Sequence, residues 1–221
     1  MAFRQLPRTV STSVWALATC LTAAFSTVQG QADAAAISGS FAVRGLGAQS
    51  CGDISALATG DKADDLIQLS AAWIAGYLSQ FNRGNSDTYE AVPIIDNVVL
   101  GKLAINICRS NPDILFEAVV ASLVTSFSRG VLAEESPIVE LKSGKNSAML
   151  RRASFRLVQQ ELIEQGYLPG GGADGDYGPA SRAALSKYQE ARGITTTGIP
   201  DAQTLIHLFA MGGTDRESGR N

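Results

Sequence analysis

Apolar residues recur along this chain at helical spacing. In KADDLIQLSAAWIAGYLSQF, the residues Leu66, Leu69, Trp73, Tyr77 and Phe81 fall three or four apart, which is one face of an α-helix, with Asp61 suited to its N-cap. NRGNSD breaks the pattern. A second apolar segment runs from about Ile94 to Cys108, with Ile95, Val98, Val99, Leu103 and Ile107 on one side and Pro93 near its first turn. SNPDILFEAVVASLVTSF predicts a third helix: Asn111 can cap backbone amides and Pro112 has no N–H to leave unpaired at the first position. The periodicity fades over 133–149, AEESPIVELKSGKNSAM, a mixed and polar stretch with Pro137 and Gly144 that reads as a linker. It resumes over 150–211. Phe155, Val158, Leu162 and Ile163 mark a helical face stopped by Gly166. Pro179 opens a helix over 179–192, with Ala183, Ala184, Leu185 and Tyr188 inward and Gly193 past its end. Asp201 caps a last helix through AQTLIHLFA, and 212–221 is a polar tail. No internal repeat stands out. The expectation is an all-α protein: two small helical domains, 45–132 and 150–211, joined by a linker.

Composition narrows this. A chain of 221 residues, 45% hydrophobic and 18% charged, suits one or two small globular domains. The net charge is -3 and no Lys/Arg-rich run occurs, so the field favours neither nucleic acid nor an anionic membrane. Residues 1–34 differ from the rest. Arg4 and Arg8 precede an uncharged stretch from Val10 to Val28, and Ala32 and Ala34 give the small-x-small cleavage spacing. This reads as a secretory signal peptide, leaving no stable membrane insertion once removed. The competing readings are a transmembrane anchor, and a lipoprotein box at LATC ending in Cys20. Cleavage would leave Cys51 and Cys108, an even pair that an oxidising compartment favours as a disulfide; two free buried thiols are the alternative. Two cysteines and the single His207 are too few for a metal site, and no metal or cofactor is expected.

The candidate chemistry sits in DGDYGPASRAALSKYQEARGI, residues 174–194. A calcium loop would need more oxygen ligands and a closing Glu at its twelfth position, where Leu185 stands. Asp174 and Asp176 could span a glycosidic bond, but a glycine-rich turn offers no apolar wall to raise a carboxyl pKa. The third reading is structural. The aspartates and glycines fix a turn, Tyr177 plugs it, and Gly178-Pro179 launches a helix.

Two resemblances bear on function. Gln159, Leu162, GYL, DGDYGPAS, Gln189, Gly193, Gly198, Asp201 and Thr204 together resemble the peptidoglycan-binding domain found beside cell-wall hydrolases. Ser181, Tyr188 and Ile194 stand where that pattern has Thr, Phe and Leu; Pro200 and the Gly170–Gly172 run depart from it. The resemblance covers about 152–210 and implies a three-helix bundle that binds without cutting. Ligand contact, to glycan or stem peptide, is expected from Tyr167, Asp174, Asp176 and Tyr177 on the loop, and from Arg182 and Gln189 beside it. Arg182 could pair with a stem-peptide carboxylate or simply be solvated, and both tyrosines could be core. In the first half, Cys51, WIAGY and CRSNP resemble the HdeA-like family of small periplasmic helical proteins over about 48–127. Its best-known members are acid-stress chaperones. With no histidine in that region, acid sensing would rest on Asp61, Asp64, Asp65 and Glu90; Trp73 and Tyr77 could equally be core.

The combined expectation is a secreted, periplasmic, non-catalytic peptidoglycan binder that tethers an HdeA-like domain to the cell wall. A periplasmic chaperone or effector inhibitor with its own protein partner is the alternative. An accessory wall hydrolase is disfavoured, because the chain has no G-x-S-x-G and no zinc constellation.

Overall fold

The structure is a computed structural model that describes residues 41–211. The expected signal peptide and the tail at 212–221 lie outside the described residues. Among the described residues, those from Val43 onward form one compact unit. After a 3-10 turn at Gly45–Ala48, helix α1 (Cys51–Leu57) starts at Ser50, whose hydroxyl accepts from the Asp53 amide. α2 (Ala63–Gly84) is the amphipathic helix predicted from the Leu66–Phe81 spacing; Leu66, Ser70, Ala71, Ile74 and Leu78 are buried, while Leu69 is exposed. Asp61 is not its cap, since the helix follows Lys62 with no side-chain cap.

α3 (Asn97–Cys108) and α4 (Phe116–Ser126) both begin later than their prolines suggest. Asp96 caps α3 by accepting from the Val98 and Val99 amides. Asn111–Pro112 does not start α4 because that segment is otherwise engaged. The Cys51 and Gly52 amides donate to the carbonyls of Ile114 and Pro112, and the Phe116 amide donates to Gln49. Residues 112–114 thus satisfy first-turn amides of α1 that have no intrahelical partner, which they could not do as helix. The Cys51–Cys108 disulfide, fully buried, ties the start of α1 to the end of α3. Trp73 packs edge-on against Phe116, lies against Tyr77, and donates its indole N–H to the Arg44 carbonyl at 2.9 Å. A Cβ on Gly47 would fall 2.1 Å from that indole, so the 3-10 turn must carry glycine there. Both aromatics are partly buried against the core, in keeping with the packing reading.

The stretch 133–149 is not a polar linker. Strands β1 (Ile138–Ser143) and β2 (Asn146–Arg151) form an antiparallel hairpin, pairing Ser143 with Asn146 and Ile138 with Arg151. The described residues are therefore mostly helical, in keeping with the expected all-α character, with the addition of one two-stranded sheet. Alternation explains the hairpin: Leu141 and Leu150 are buried while their neighbours Glu140, Lys142 and Met149 are exposed. Gly144, at φ 59°, opens the two-residue turn.

β2 runs directly into α5 (Arg152–Glu164), followed by α6 (Pro179–Ala191) and α7 (Ala202–Leu205), which continues as a π-helical turn over Ile206–Met211. These helices do not fold apart from the first half. Leu100, Val119 and Phe127 share one buried cluster with Leu141, Leu150, Phe155 and Phe209. Arg129, after α4, pairs with Glu161 of α5 at 2.6 Å and donates to the Leu208 carbonyl at 2.7 Å. Arg151 pairs with Glu90 and lies over the Tyr89 ring.

One shared core predicts one unfolding event. Far-ultraviolet circular dichroism and tryptophan fluorescence should report coincident denaturation midpoints; two separated transitions would show that the halves fold independently. Replacing both cysteines by serine should lower the unfolding free energy by about 2–4 kcal/mol, read from the shift in urea midpoint.

Candidate functional site

The region around DGDYG is organised by two buried glutamines. Gln159 on α5 is fully buried. Its Oε1 accepts from the Gly175 amide at 2.7 Å, and its Nε2 lies 3.0 Å from the Asp174 Oδ1, the Asp176 carbonyl and the Ser181 hydroxyl. Gln189 on α6 repeats the arrangement one helix later. Its Oε1 accepts from the Gly198 amide at 2.9 Å, and its Nε2 faces the Thr197 hydroxyl, the Ile199 carbonyl and the Thr204 hydroxyl. Each glutamine thus holds the same four points of a turn: the side chain before a glycine, the glycine amide, the carbonyl after it, and the hydroxyl six residues on. Both glycines, Gly175 at φ 78° and Gly198 at φ 70°, are left-handed, a conformation costly for any residue with a Cβ. Three residues after each glycine comes a helix N-cap, Gly178 for α6 and Asp201 for α7.

The chain therefore carries an internal repeat that a scan for whole repeated segments does not reveal. The signal was present as spacing: Gly175 to Ser181 and Gly198 to Thr204 are the same distance, each preceded by a helical glutamine. Asp201 completes the second turn, accepting from the Thr204 amide and hydroxyl through Oδ1 and from the Thr197 hydroxyl through Oδ2.

The predicted ligand residues separate into two groups. Gln189 is not at the surface: it is fully buried with both ends of its amide occupied, so it is a clamp and not a ligand contact. Tyr177 is partly buried, packs edge-on against Phe155, and donates its hydroxyl to the Gly198 carbonyl at 2.6 Å, joining the first turn to the second. Burial holds its pKa above the ordinary phenol value. Tyr167 is half-buried and edge-on to Tyr188. Asp174, Asp176 and Arg182 are exposed. Asp176 pairs with Arg152 at 2.6 Å.

Asp174 turns its Oδ1 toward the Asp176 amide at 2.8 Å and the Gln159 amide. These two bonds lower its pKa below the ordinary 3.8. A lowered value means that its contribution to folding is present above the ordinary carboxylate range and is lost as the pH falls through the folded value. Asp174 is thus held away from the raised pKa of a general acid. Among the described residues no group of three or more His, Cys, Asp or Glu is arranged to hold a metal ion. Asp174 Oδ1 is spent on the turn's geometry and Asp176 Oδ1 on Arg152.

Gln159→Leu and Gln189→Leu keep the side-chain size and remove the clamps. Each stranded buried polar group costs about 1–3 kcal/mol. Gln189→Leu strands the Thr197 and Gly198 amides together, since both donate to the glutamine Oε1, on a partly buried and a buried residue. Urea denaturation should find both variants destabilised, Gln189→Leu by at least about 2 kcal/mol. A shift below about 0.5 kcal/mol, the range of ordinary surface changes, would show that the clamps do not hold the turns.

Residues 151–208 match the family model described as "Putative peptidoglycan binding domain". No curated protein and no solved structure matches the chain. The matched stretch takes in α5, α6 and both glutamine clamps and leaves β1 outside. The match supports a peptidoglycan-binding domain in the C-terminal part of the chain.

Proposed function

We propose that the protein binds peptidoglycan through its C-terminal module without cutting it, as an exported, cell-wall-associated protein of the periplasm. The family match over 151–208 carries this reading. The clamped turns support it, because they present a rigid surface whose side chains need little ordering on binding. In this reading the ligand meets the exposed rim: Arg182, the outer edge of Tyr167, and the free faces of Asp174 and Asp176. No acid pairs with Arg182 among the described residues, so its guanidinium is free to take a stem-peptide carboxylate in a two-pronged contact. The engagement of Asp174 Oδ1 by the turn and of Asp176 by Arg152 supports binding over hydrolysis. The Cys51–Cys108 disulfide supports an oxidising compartment.

The first half is the part of the protein offered to partners other than the wall. Its resemblance to the HdeA-like family rests on the cysteine pair, the Trp73–Tyr77 step and CRSNP in the sequence. A periplasmic protein is the partner proposed for these helices.

Sedimentation with purified sacculi tests wall binding. The intact protein should pellet with sacculi and stay soluble without them. Arg182→Ala should reduce the pelleted fraction several-fold while leaving the denaturation midpoint within about 0.5 kcal/mol of the parent, as for other surface substitutions. Equal solubility with and without sacculi would end the binding proposal. A clearing zone on a wall-containing gel would end the non-catalytic one.

A further inference from the structure

The β2 edge forms one wall of a crevice of about 420 Å³ that the wall-binding reading does not use. Four consecutive residues, Ser147 to Leu150, line it. Side chains of a strand alternate between faces, so four in a row mean that the backbone edge itself faces the crevice. The hairpin register fixes which groups point there. A two-residue turn makes Ser143 and Asn146 a hydrogen-bonded pair, and the pattern then alternates. Leu141–Ala148 and Val139–Leu150 are bonded pairs, whereas Ser147 and Met149 turn their amides and carbonyls away from β1. Among the described residues neither Ser147 nor Met149 has a backbone partner on that side.

The opposite wall is apolar. It comes from the start of α3 and the residues before it, where Ile95 and Val99 are only partly buried. Charge in the crevice has one sign: Asp96 and Asp201 line it and no Lys, Arg or His does. A volume of this size lies within the ordinary range of binding clefts. The four strand residues span about 13 Å at the usual rise.

We propose that this crevice binds an extended polypeptide segment of a protein partner, which adds as a third strand along the outer edge of β2. Its amides and carbonyls pair with those of Ser147 and Met149. Apolar side chains face Ile95 and Val99, and cationic side chains meet Asp96 and Asp201. Strand addition takes its affinity from main-chain bonds and its selectivity from alternate side chains, and the two acids select for lysine or arginine. The site is separate from the rim of the wall-binding module and does not depend on wall binding.

Fluorescence anisotropy with a labelled peptide of alternating lysine and valine, seven residues long, tests the proposal on the intact protein. The peptide should bind saturably, and its counterpart with glutamate for lysine should bind at least ten-fold more weakly. Two further peptides carry backbone N-methyl groups on the odd or on the even residues. One should lose at least ten-fold in affinity and the other should not, because only one set of amides faces β2. Asp96→Asn keeps the helix cap and should weaken the lysine peptide about three-fold or more. Met149→Pro removes an outward amide without removing a hairpin bond and should abolish binding; if that variant does not fold, the N-methyl pair alone decides. No saturable binding, equal loss for both methylated peptides or for neither, an unchanged affinity in Asp96→Asn, or displacement of the probe by a soluble wall stem-peptide fragment would each overturn the proposal.

Discussion

A primary amide can donate two hydrogen bonds and accept two, and in the C-terminal half this capacity organises the fold. Gln159 and Gln189 are fully buried, which is costly for an amide unless it is satisfied. Each is satisfied by one particular turn and would be left wanting by any other. The clamps therefore select the turn conformation as well as stabilising it. From the clamped turns follow the starts of α6 and α7, the bond from Tyr177 to the Gly198 carbonyl, and the outward placement of Arg182. Local propensity supplies the glycines and caps, but the register of helices to turns is set by two side chains whose polar atoms must find partners.

The legible features were those that a single helix or turn determines for itself. The apolar spacing of α2, the Gly166 stop, Pro179 at the start of α6 and the Asp201 cap are local chemistry, and the sequence carries them openly. The start of α3 is also local, set by the Asp96 cap, but the late start of α4 was hidden because the winning interactions are not local. Carbonyls at Pro112 and Ile114 go to amides at the start of α1, some sixty residues away in the chain. The hairpin was masked by its exposed face, where Glu140, Lys142 and Ser147 make the stretch look like solvent-facing linker. Only the period-two placing of Val139, Leu141, Ala148 and Leu150 announces it.

At the candidate site the loop's structural role was readable and the role of Gln189 was not. A glutamine in a sequence looks the same whether it faces solvent or fills an interior cage. What separates the two is the partner set, and that set appears only when Gly198, Ile199 and Thr204 are seen as equivalents of Gly175, Asp176 and Ser181. The repeat is short and is carried by one glycine, one hydroxyl and one helical amide per copy, so its likeness lies in geometry more than in residue identity.

The contacts of Arg129 with Glu161 and with the Leu208 carbonyl bear on how such a molecule would be carried by a wall. A binding module on a flexible leash lets its cargo roam, and the local concentration of cargo then falls with the length of the leash. Here no leash intervenes between the disulfide-bonded helices and the module, because the hairpin and the arginine knit them into one body. Cargo fixed in this way would stand at a constant height and angle above its support, meeting only those molecules that pass at that distance.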